Sequence, residues 1–140
     1  MRIKLRVGSG SSVLDRFADE VFEVDGVRFL NCTPHELRLD DGRVVRGNPE
    51  LARILAARAI ERTVERRPPV EFVTTTFETT DEGEKLCEEA AARGIFLVGS
   101  IIAAQAYGYP AVSPVTTPET SRKPPAERIV FSTKWNCYWK

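Results

Sequence analysis

The chain has little of several kinds of residue, and each shortage excludes a class of protein. Lys and Arg together number 20, as do Asp and Glu, so there is no excess charge of either sign. A general nucleic-acid binder carries excess positive charge, which displaces counterions from phosphates. No apolar run reaches the roughly 18–20 residues of a membrane span. The opening residues, MRIKLRV, alternate between basic and apolar residues, unlike the continuous apolar core of a secretory leader. We therefore expect an intracellular, cytoplasmic protein that neither enters membranes nor binds nucleic acids in general.

Cysteine is also scarce. The three cysteines, Cys32, Cys87 and Cys137, are an odd number spread far apart, unlike the disulfide framework of a small secreted protein. A chain of 140 residues is the size of one domain and can bury a core without a disulfide or a metal. Methionine and glutamine each occur once, whereas Glu and Arg are plentiful. Because thermolabile residues are reduced in hot-living organisms, this composition indicates a thermophile.

Short segments of alternating apolar and polar residues predict strands in the first third of the chain. Asp25-Gly26 is a strong signal for a hairpin turn between two of them. Segment 8–12, rich in glycine and serine, predicts a flexible loop and lacks the spacing of a phosphate-binding motif. The predicted strands, which form a β-meander, are residues 1–7, 17–24, 27–32, 35–39 and 44–47.

The clearest predicted helix spans residues 48–67. Asn48 can accept a hydrogen bond from an N–H group of the first turn, and Pro49 suits the first helical position. Apolar residues recur at helical spacing and predict a stripe that faces the core. This stripe consists of Leu51, Ile54, Leu55, Ile60 and Val64. Pro68-Pro69 ends the element, because proline cannot continue a helix.

The second half of the chain predicts a strand–helix–strand unit over residues 70–99. Its β-branched and aromatic start predicts a strand, its middle predicts a helix that stops at Gly94, and its apolar end predicts a buried strand. A helical crossover of this length joins parallel strands with a right-handed connection. The remaining elements are a short helix at 100–108, a strand at 110–115, a proline-rich loop at 116–127 and a closing strand at 128–139.

These elements predict the fold class. Residues 1–140 should form a single α/β domain, with α+β as the alternative. The expected architecture is a mixed β-sheet with an N-terminal β-meander, a βαβ unit and about three helices.

Cys32 and His35, the single histidine, lie close together in the segment FLNCTPHEL. With Cys87 and Cys137 they have the right ligand types for zinc, but the paired spacing of a zinc motif is missing, so we expect no metal and no cofactor. A Cys32–Cys137 disulfide is another alternative. A Cys–His nucleophile pair needs a lowered thiol pKa and an oxyanion hole, and the sequence indicates neither.

His35 alone has two interpretations. It can act as a general base or as a hydrogen-bonding group for a ligand. Alternatively, Thr33-Pro34 starts a turn, and a ring nitrogen of His35 then pairs with a backbone carbonyl. The second interpretation gives the residue a structural role only.

Polar residues cluster where the predicted strands end. In parallel α/β sheets, ligands bind beyond the carboxyl ends of the strands. The residues concerned are Thr75, Thr76, Gly99, Ser100, Thr116, Thr117 and Glu119. Ser100 also begins a helix, where free N–H groups favour anions. The alternative is that Ser100 caps this helix and that the threonines only favour strands.

Three segments resemble a family of small prokaryotic and phage-like proteins. Asn31–His35 resembles its N-[LC]-T-P-H motif, and FLVGSIIAAQA at 96–106 is similar to its V-S-x-x-V-A-Q-A block. SPVTTPETSR at 113–122 is similar to a P-D-T-x-P-E-S block, with Val115 in place of the acidic residue. The residues at motif positions are Asn31, Thr33, Pro34, His35, Ser100, Gln105, Pro114, Thr116, Pro118 and Arg122. The resemblance implies a virus or another mobile element as the source, which the thermophile-like composition would make archaeal, and it implies no reaction.

Two functions follow as hypotheses, and whether the protein is an enzyme stays open. The first is a non-catalytic accessory protein that binds a partner or itself through the aromatic end, Trp135, Tyr138 and Trp139. The second is a site for a nucleotide- or phosphate-type ligand, in which His35, as the candidate catalytic residue, acts with Ser100 and Arg122. The ligand-binding candidates are Asn31, Thr33, His35, Ser100, Gln105, Thr116 and Arg122. The second hypothesis requires that His35, Ser100, Thr116 and Arg122 converge on one pocket.

Overall fold

The structure, a computed structural model, describes residues 12–139. The strand predicted at 1–7 and most of the loop predicted at 8–12 lie outside this range. The strands are β1 (Phe22–Val24), β2 (Val27–Asn31), β3 (Leu37–Arg38), β4 (Val44–Val45), β5 (Arg58–Arg67), β6 (Val70–Glu78), β7 (Ile95–Val98), β8 (Ala111–Thr116) and β9 (Val130–Asn136). The α-helices are α1 (Val13–Arg16), α2 (Pro49–Ile54), α3 (Asp81–Ala92) and α4 (Ile101–Tyr107). Short 3-10 helices lie at Ala18–Glu20, Pro118–Thr120 and Pro125–Glu127.

A five-stranded mixed sheet, in the order β1-β2-β7-β8-β9, organises the chain. The three central strands β2, β7 and β8 are parallel, and β1 and β9 are antiparallel edges. Two smaller sheets, β3-β4 and β5-β6, accompany it. The prediction of a single α/β domain with a mixed sheet is therefore confirmed for residues 12–139. Every helix in this part of the chain is too short or too polar to cross a membrane.

The two faces of the five-stranded sheet carry separate cores, because side chains alternate along each strand. Leu30 and Leu97 pair across β2 and β7 and pack with helix residues such as Leu51. On the opposite face, Phe29 and Val98 pack with residues of the other core. Burial of each large apolar side chain contributes about 1.5–3 kcal/mol, so the sheet is held from both sides.

The backbone conformation of two residues explains the β1–β2 turn. Asp25 and Gly26 both have positive φ, +48° and +85°. A two-residue hairpin turn of this kind needs positive φ at both central positions, which Asp and Gly tolerate best. The predicted hairpin is confirmed, although its first strand is shorter than expected because residues 18–20 form a 3-10 turn.

The helix predicted at 48–67 is wrong beyond its first turns. Its start is correct: Oδ1 of Asn48 accepts a hydrogen bond from N of Leu51 at 2.9 Å. Helix α2 nevertheless ends at Ile54, and residues 58–67 form β5. Val64, predicted to face the core, is 65% exposed. The segment instead pairs with β6, where β-branched and aromatic side chains lie across from it and favour a strand.

The βαβ unit predicted over 70–99 is also wrong in its pairing. Strand β6, helix α3 and strand β7 all form as predicted, but β6 pairs with β5 and not with β7. The parallel neighbours of β7 are β2 and β8. The connection of β7 to β8 through α4 is therefore a parallel βαβ unit, which begins one strand later in the chain than the predicted unit.

Tyr107, at the end of α4, joins three elements. Its Oη donates a hydrogen bond to the carbonyl of Ala56 at 2.7 Å and accepts one from N of Thr80 at 3.1 Å. The Thr80 hydroxyl accepts a hydrogen bond from N of Gly83 at 2.9 Å and donates one to the carbonyl of Ile54 at 3.0 Å. This network fixes the C-terminal end of α2 and the N-terminal end of α3 relative to α4.

Replacing Gly83 with Ala should destabilise the protein by about 1–3 kcal/mol, although Ala is the better helix former. A Cβ atom there would lie 2.1 Å from Oη of Tyr107, so the ring would have to move and its hydrogen bonds would weaken. Urea unfolding measures the effect, with Glu88→Ala at an exposed position of the same helix as the control. A gain of about 1 kcal/mol, as expected of an uncrowded helical glycine, would contradict this packing.

Candidate functional site

A cavity of about 560 Å³ opens at the carboxyl ends of the parallel strands β2, β7 and β8. Its walls come from the turn 32–38, the end of α2, the start of α4 and parts of the 114–130 segment. Three central strands of one sheet therefore deliver residues that are far apart in the sequence to the same place. This is the edge where parallel α/β sheets bind ligands.

Asn31 builds the turn that forms one wall. The residue is 3% exposed. Its Oδ1 accepts hydrogen bonds from N and Oγ1 of Thr33 at 3.0 and 2.7 Å. Its Nδ2 donates to the carbonyls of His35 and Arg46 at 3.0 and 3.1 Å. Asn31 is thus a positioning residue that does not line the cavity, in contrast to its prediction as a ligand-binding residue.

A close backbone contact holds the same turn from behind. A Cβ atom on Gly47 would lie 2.5 Å from the carbonyl oxygen of Pro34. The carbonyl of Thr33 also accepts a hydrogen bond from N of Asn48 at 2.8 Å. Only glycine allows the two segments to approach this closely. Gly47 was missed in the sequence, where a glycine before a helix N-cap is not distinctive.

Four of the seven predicted ligand-binding residues meet at the cavity: Thr33, His35, Ser100 and Thr116. Gly99, from the predicted strand-end cluster, also lines it. His35 is exposed, and within residues 12–139 its ring makes no hydrogen bond. The predicted bond from its ring to a backbone carbonyl is therefore not formed; its own carbonyl is the bonded group. His35 is nevertheless one of the residues that line the cavity.

Ser100 follows the alternative that the sequence allowed for it. Its Oγ accepts a hydrogen bond from N of Ala103 at 3.0 Å, so the side chain caps α4. Ser100 also lines the cavity, where its hydroxyl proton can be donated. Ser100 therefore both caps α4 and lines the cavity.

Besides Asn31, two more of the predicted ligand-binding residues do not reach the cavity. Gln105 and Arg122 are both exposed and absent from its walls. The prediction that Arg122 converges with His35 is therefore wrong. The 3-10 turns at 118–120 and 125–127 carry the chain onward, so that Arg128 reaches the cavity instead.

Other polar strand-end candidates also lie elsewhere. Thr75 and Thr76 belong to the β5-β6 sheet, away from the parallel strands. Thr117 is buried, and its hydroxyl bonds that of Thr120 at 2.8 Å. Glu119 is exposed and does not line the cavity.

Two arginines and one glutamate supply the charge at the cavity. Nε of Arg128 donates to the carbonyl of Lys123 at 2.9 Å, and Nε of Arg38 donates to the carbonyl of Ala126 at 3.1 Å. These bonds fix both guanidinium groups, and neither forms an ion pair within residues 12–139. Glu36 also lies in the wall, so the two arginines leave a positive excess over this one carboxylate. Arg38 was not among the residues predicted from the sequence. Its position between Leu37 and Leu39, which are both buried, was the available signal, because alternation along a strand turns the residue between them away from the core.

The cysteines have separate environments. Cys32 is 3% exposed, at the inner wall of the cavity, and burial raises the pKa of its thiol well above the usual range. Burial also raises the pKa of Cys87 to about 12. All three cysteines are free, so the Cys32–Cys137 disulfide is not formed. A thiol kept protonated by burial is a poor nucleophile.

The four zinc-type residues do not come together. Cys137 is exposed, whereas Cys32 and Cys87 are buried. Within residues 12–139, His, Cys, Asp and Glu form no group of three or more that could hold a metal ion.

The aromatic C-terminal segment packs largely on the sheet. The ring of Trp135 stacks on that of Phe29, with centroids 4.8 Å apart. Trp139 stacks on Phe96 at 6.1 Å, and Tyr138 is 44% exposed. Most of this surface is thus engaged within the chain, and the predicted interface at Trp135, Tyr138 and Trp139 stays a prediction.

Replacing Asn31 with Ala should lower the free energy of unfolding by about 2–3 kcal/mol, because it leaves N of Thr33 and two carbonyls without their partner. Urea unfolding provides the measurement. Asn136→Ala is the matched control, since Nδ2 of Asn136 makes a single long bond of 3.4 Å to the carbonyl of Pro114. Equal losses from the two variants would show that the Asn31 network does not fix the turn.

A thiol-labelling experiment checks the cysteine environments. In the folded protein at mildly alkaline pH, Cys137 should react quickly with an aromatic disulfide reagent, while Cys32 and Cys87 react slowly because they are buried and protonated. Denaturant should expose all three thiols. Cys137→Ser should abolish the fast phase, and a fast phase that persists in this variant would show that Cys32 or Cys87 is accessible.

Comparison with known protein families, curated proteins and solved structures finds no match for this chain. The resemblance of three segments to small prokaryotic and phage-like proteins therefore stays a prediction. The geometry of the cavity is the basis on which a function can be argued.

Proposed function

We propose that the protein binds a small ligand, of the nucleotide or phosphate type, in the cavity beyond β2, β7 and β8. The observation that carries this proposal is the convergence of His35, Ser100 and Thr116 with two arginines around a space of about 560 Å³. Ligand pockets are commonly about 300–1,000 Å³, so the space suits one small molecule.

The apolar part of the wall suits a flat ring. Leu55, Ala103 and Val130 are buried residues that line the cavity together with several alanines and prolines. Burial of an apolar or aromatic ligand surface against them contributes affinity, although it does not fix the orientation of the ligand. This part of the proposal calls for a ligand with a planar body, such as a nucleobase.

The polar part of the wall suits an anion beside hydroxyl groups. The guanidinium groups of Arg38 and Arg128 are held by backbone carbonyls through Nε, which leaves their terminal nitrogens to bind an anionic oxygen. The hydroxyls of Thr33, Ser100 and Thr116 can bond sugar-type hydroxyls, and His35 can donate or accept. We assign His35 a binding role and no reaction.

The composition of the chain and its resemblance to phage-like proteins support a proposal about where the protein acts. We infer a non-catalytic accessory protein of a thermophile or of its virus, acting in the cytoplasm, on the evidence of scarce thermolabile residues and of the phage-like motifs. The ligand site then serves as a means by which such an accessory protein senses or sequesters a small molecule.

The first test of the proposal is thermal unfolding with three probes: a purine nucleoside, its 5′-monophosphate and inorganic phosphate. The monophosphate should raise the melting temperature most, because it alone offers both a ring and an anion to the site. Calorimetric titration then gives the dissociation constant. If no probe shifts the melting temperature, or if all three shift it equally, the proposed ligand class is wrong.

A matched pair of arginine variants tests the site itself. Arg128→Ala should weaken binding of the monophosphate by about 10- to 100-fold, since a hydrogen bond to a charged group contributes about 1.5–3 kcal/mol. Arg122→Ala, six residues earlier in the chain, removes an arginine that is also exposed but does not line the cavity, and it should leave affinity unchanged. His35→Ala should weaken binding while the ligand-free melting temperature stays the same, because the side chain is exposed. Equal effects of the two arginine variants would place the anion elsewhere.

A further inference from the structure

The β5-β6 ribbon takes no part in the proposed site and is separate from the five-stranded sheet. Its strands run nine residues against each other with a bulge in β5 between Thr63 and Glu65. Large apolar side chains on it are left in solvent: Val64 is 65% exposed, Phe72 49% and Val73 45%. A two-stranded ribbon is at best marginally stable by itself. Helix α4 contacts both strands of the ribbon and supports it from the body of the protein, while in the part of the chain that the structure describes the outer edges of the two strands are left open to a further strand.

The two outer edges of the ribbon differ in how well they could accept that strand. Within residues 12–139, neither edge is paired. Proteins protect edge strands with bulges, proline or charged side chains, lysine above all. Strand β5 has the bulge and alternating Arg and Glu residues. Strand β6, VEFVTTTFE, has no bulge, no proline and no basic residue, so its edge is the open one.

The positions of the charged residues decide which of the two strands can pair with the same strand of a second copy of the chain. In a symmetric antiparallel pair, one residue faces its own copy. If Arg62 of β5 faced itself, Arg58 would face Arg66, and a shift of the axis to Thr63 would set Glu61 against Glu65. Like charges directly opposite each other are destabilising. Strand β5 is therefore unsuited to pair with itself.

Strand β6 meets no such conflict. With Thr74 on the symmetry axis, all nine residues of β6 find a partner. Glu71 then lies opposite Phe77, and Glu78 lies opposite Val70, so neither carboxylate faces another. Phe72 lies opposite Thr76, an aromatic–β-branched pair that favours strand association.

We propose that two copies of this chain associate through β6, antiparallel about Thr74, to form a continuous four-stranded sheet β5-β6-β6-β5. The main-chain hydrogen bonds of the open edge provide the association, and the central threonines, which lack charge and bulk, let the two strands approach. Val70, Phe72, Thr74, Thr76 and Glu78 lie on one face of this sheet, since side chains alternate, and there each Phe72 packs beside Thr76 of the other copy. The ribbon thus becomes the dimerisation arm of the protein.

Charge-swap variants at the axis test this arrangement. Thr74→Lys and Thr74→Glu should each raise the dissociation constant of the dimer by at least about tenfold, because two like charges then face each other across the axis. An equimolar mixture of the two variants should restore the dimer, because opposite charges then meet. Thr63→Lys, at an exposed position of the bulged strand, is the control and should leave the dimer intact. Sedimentation velocity over a wide range of concentrations measures mass, and circular dichroism checks that each variant is folded, since Arg62 lies across from Thr74 within the ribbon.

Several results would overturn the proposal. The wild-type chain should sediment as a dimer that dissociates on dilution, and a monomer at every concentration would reject it. A dimer that survives Thr74→Lys would place the contact elsewhere. A monomer whose β6 amide groups are nevertheless protected from hydrogen exchange would show that another segment of the same chain covers the edge. Recovery of the dimer in the mixed sample, and in neither variant alone, is the supporting result.

Discussion

The hydrogen bonds of the Asn31 side chain determine how the chain leaves the central sheet, and the candidate site depends on that exit. The amide lies at the end of β2, buried, with its oxygen bonded to Thr33 and its nitrogen bonded to two carbonyls. The amide of this one side chain thus accepts a hydrogen bond from a backbone N–H group of the turn and donates two to backbone carbonyls. The turn could not close as it does without Gly47, which allows the following segment to lie against it. The result is a wall whose inner side is Cys32 and whose outer side is His35.

The rest of the cavity follows from the order of the sheet. Strands β2, β7 and β8 are parallel neighbours, so the segments that follow them emerge at the same edge. Ser100 starts α4 there, and Thr116 ends β8 there. The last polar groups arrive from the proline-rich segment, in which backbone carbonyls hold Arg38 and Arg128 in place. An apolar floor with two fixed cations at its rim is suited to a planar molecule that carries an anion.

Features with local causes could be predicted from the sequence, and features that depend on a distant partner could not. The turn at Asp25-Gly26, the cap at Asn48 and the helix stop at Gly94 each rest on a residue and its immediate neighbours. Residues 58–67 show the limit, because Ile60 and Val64 fit a helical stripe as well as a strand, and only pairing with residues 70–78 decides between them. The same limit applies to the site. Thr33, His35, Ser100 and Thr116 do reach the cavity, as the motif positions and the rule for strand ends suggested. Which arginine accompanies them depends on the path of two 3-10 turns, so Arg128 lines the cavity and Arg122 does not.

Ligand binding at the strand ends and association through β6 involve different parts of the chain, so each can be tested without disturbing the other. The central claim is the location of the ligand, and a backbone amide NMR titration with a purine nucleoside 5′-monophosphate tests it most directly. We expect the largest shifts at residues 33–38, 99–103 and 128–130, which surround the cavity, and little change in the ribbon at 58–78. Saturable shifts centred on the ribbon or elsewhere, with the cavity residues unmoved, would contradict the account.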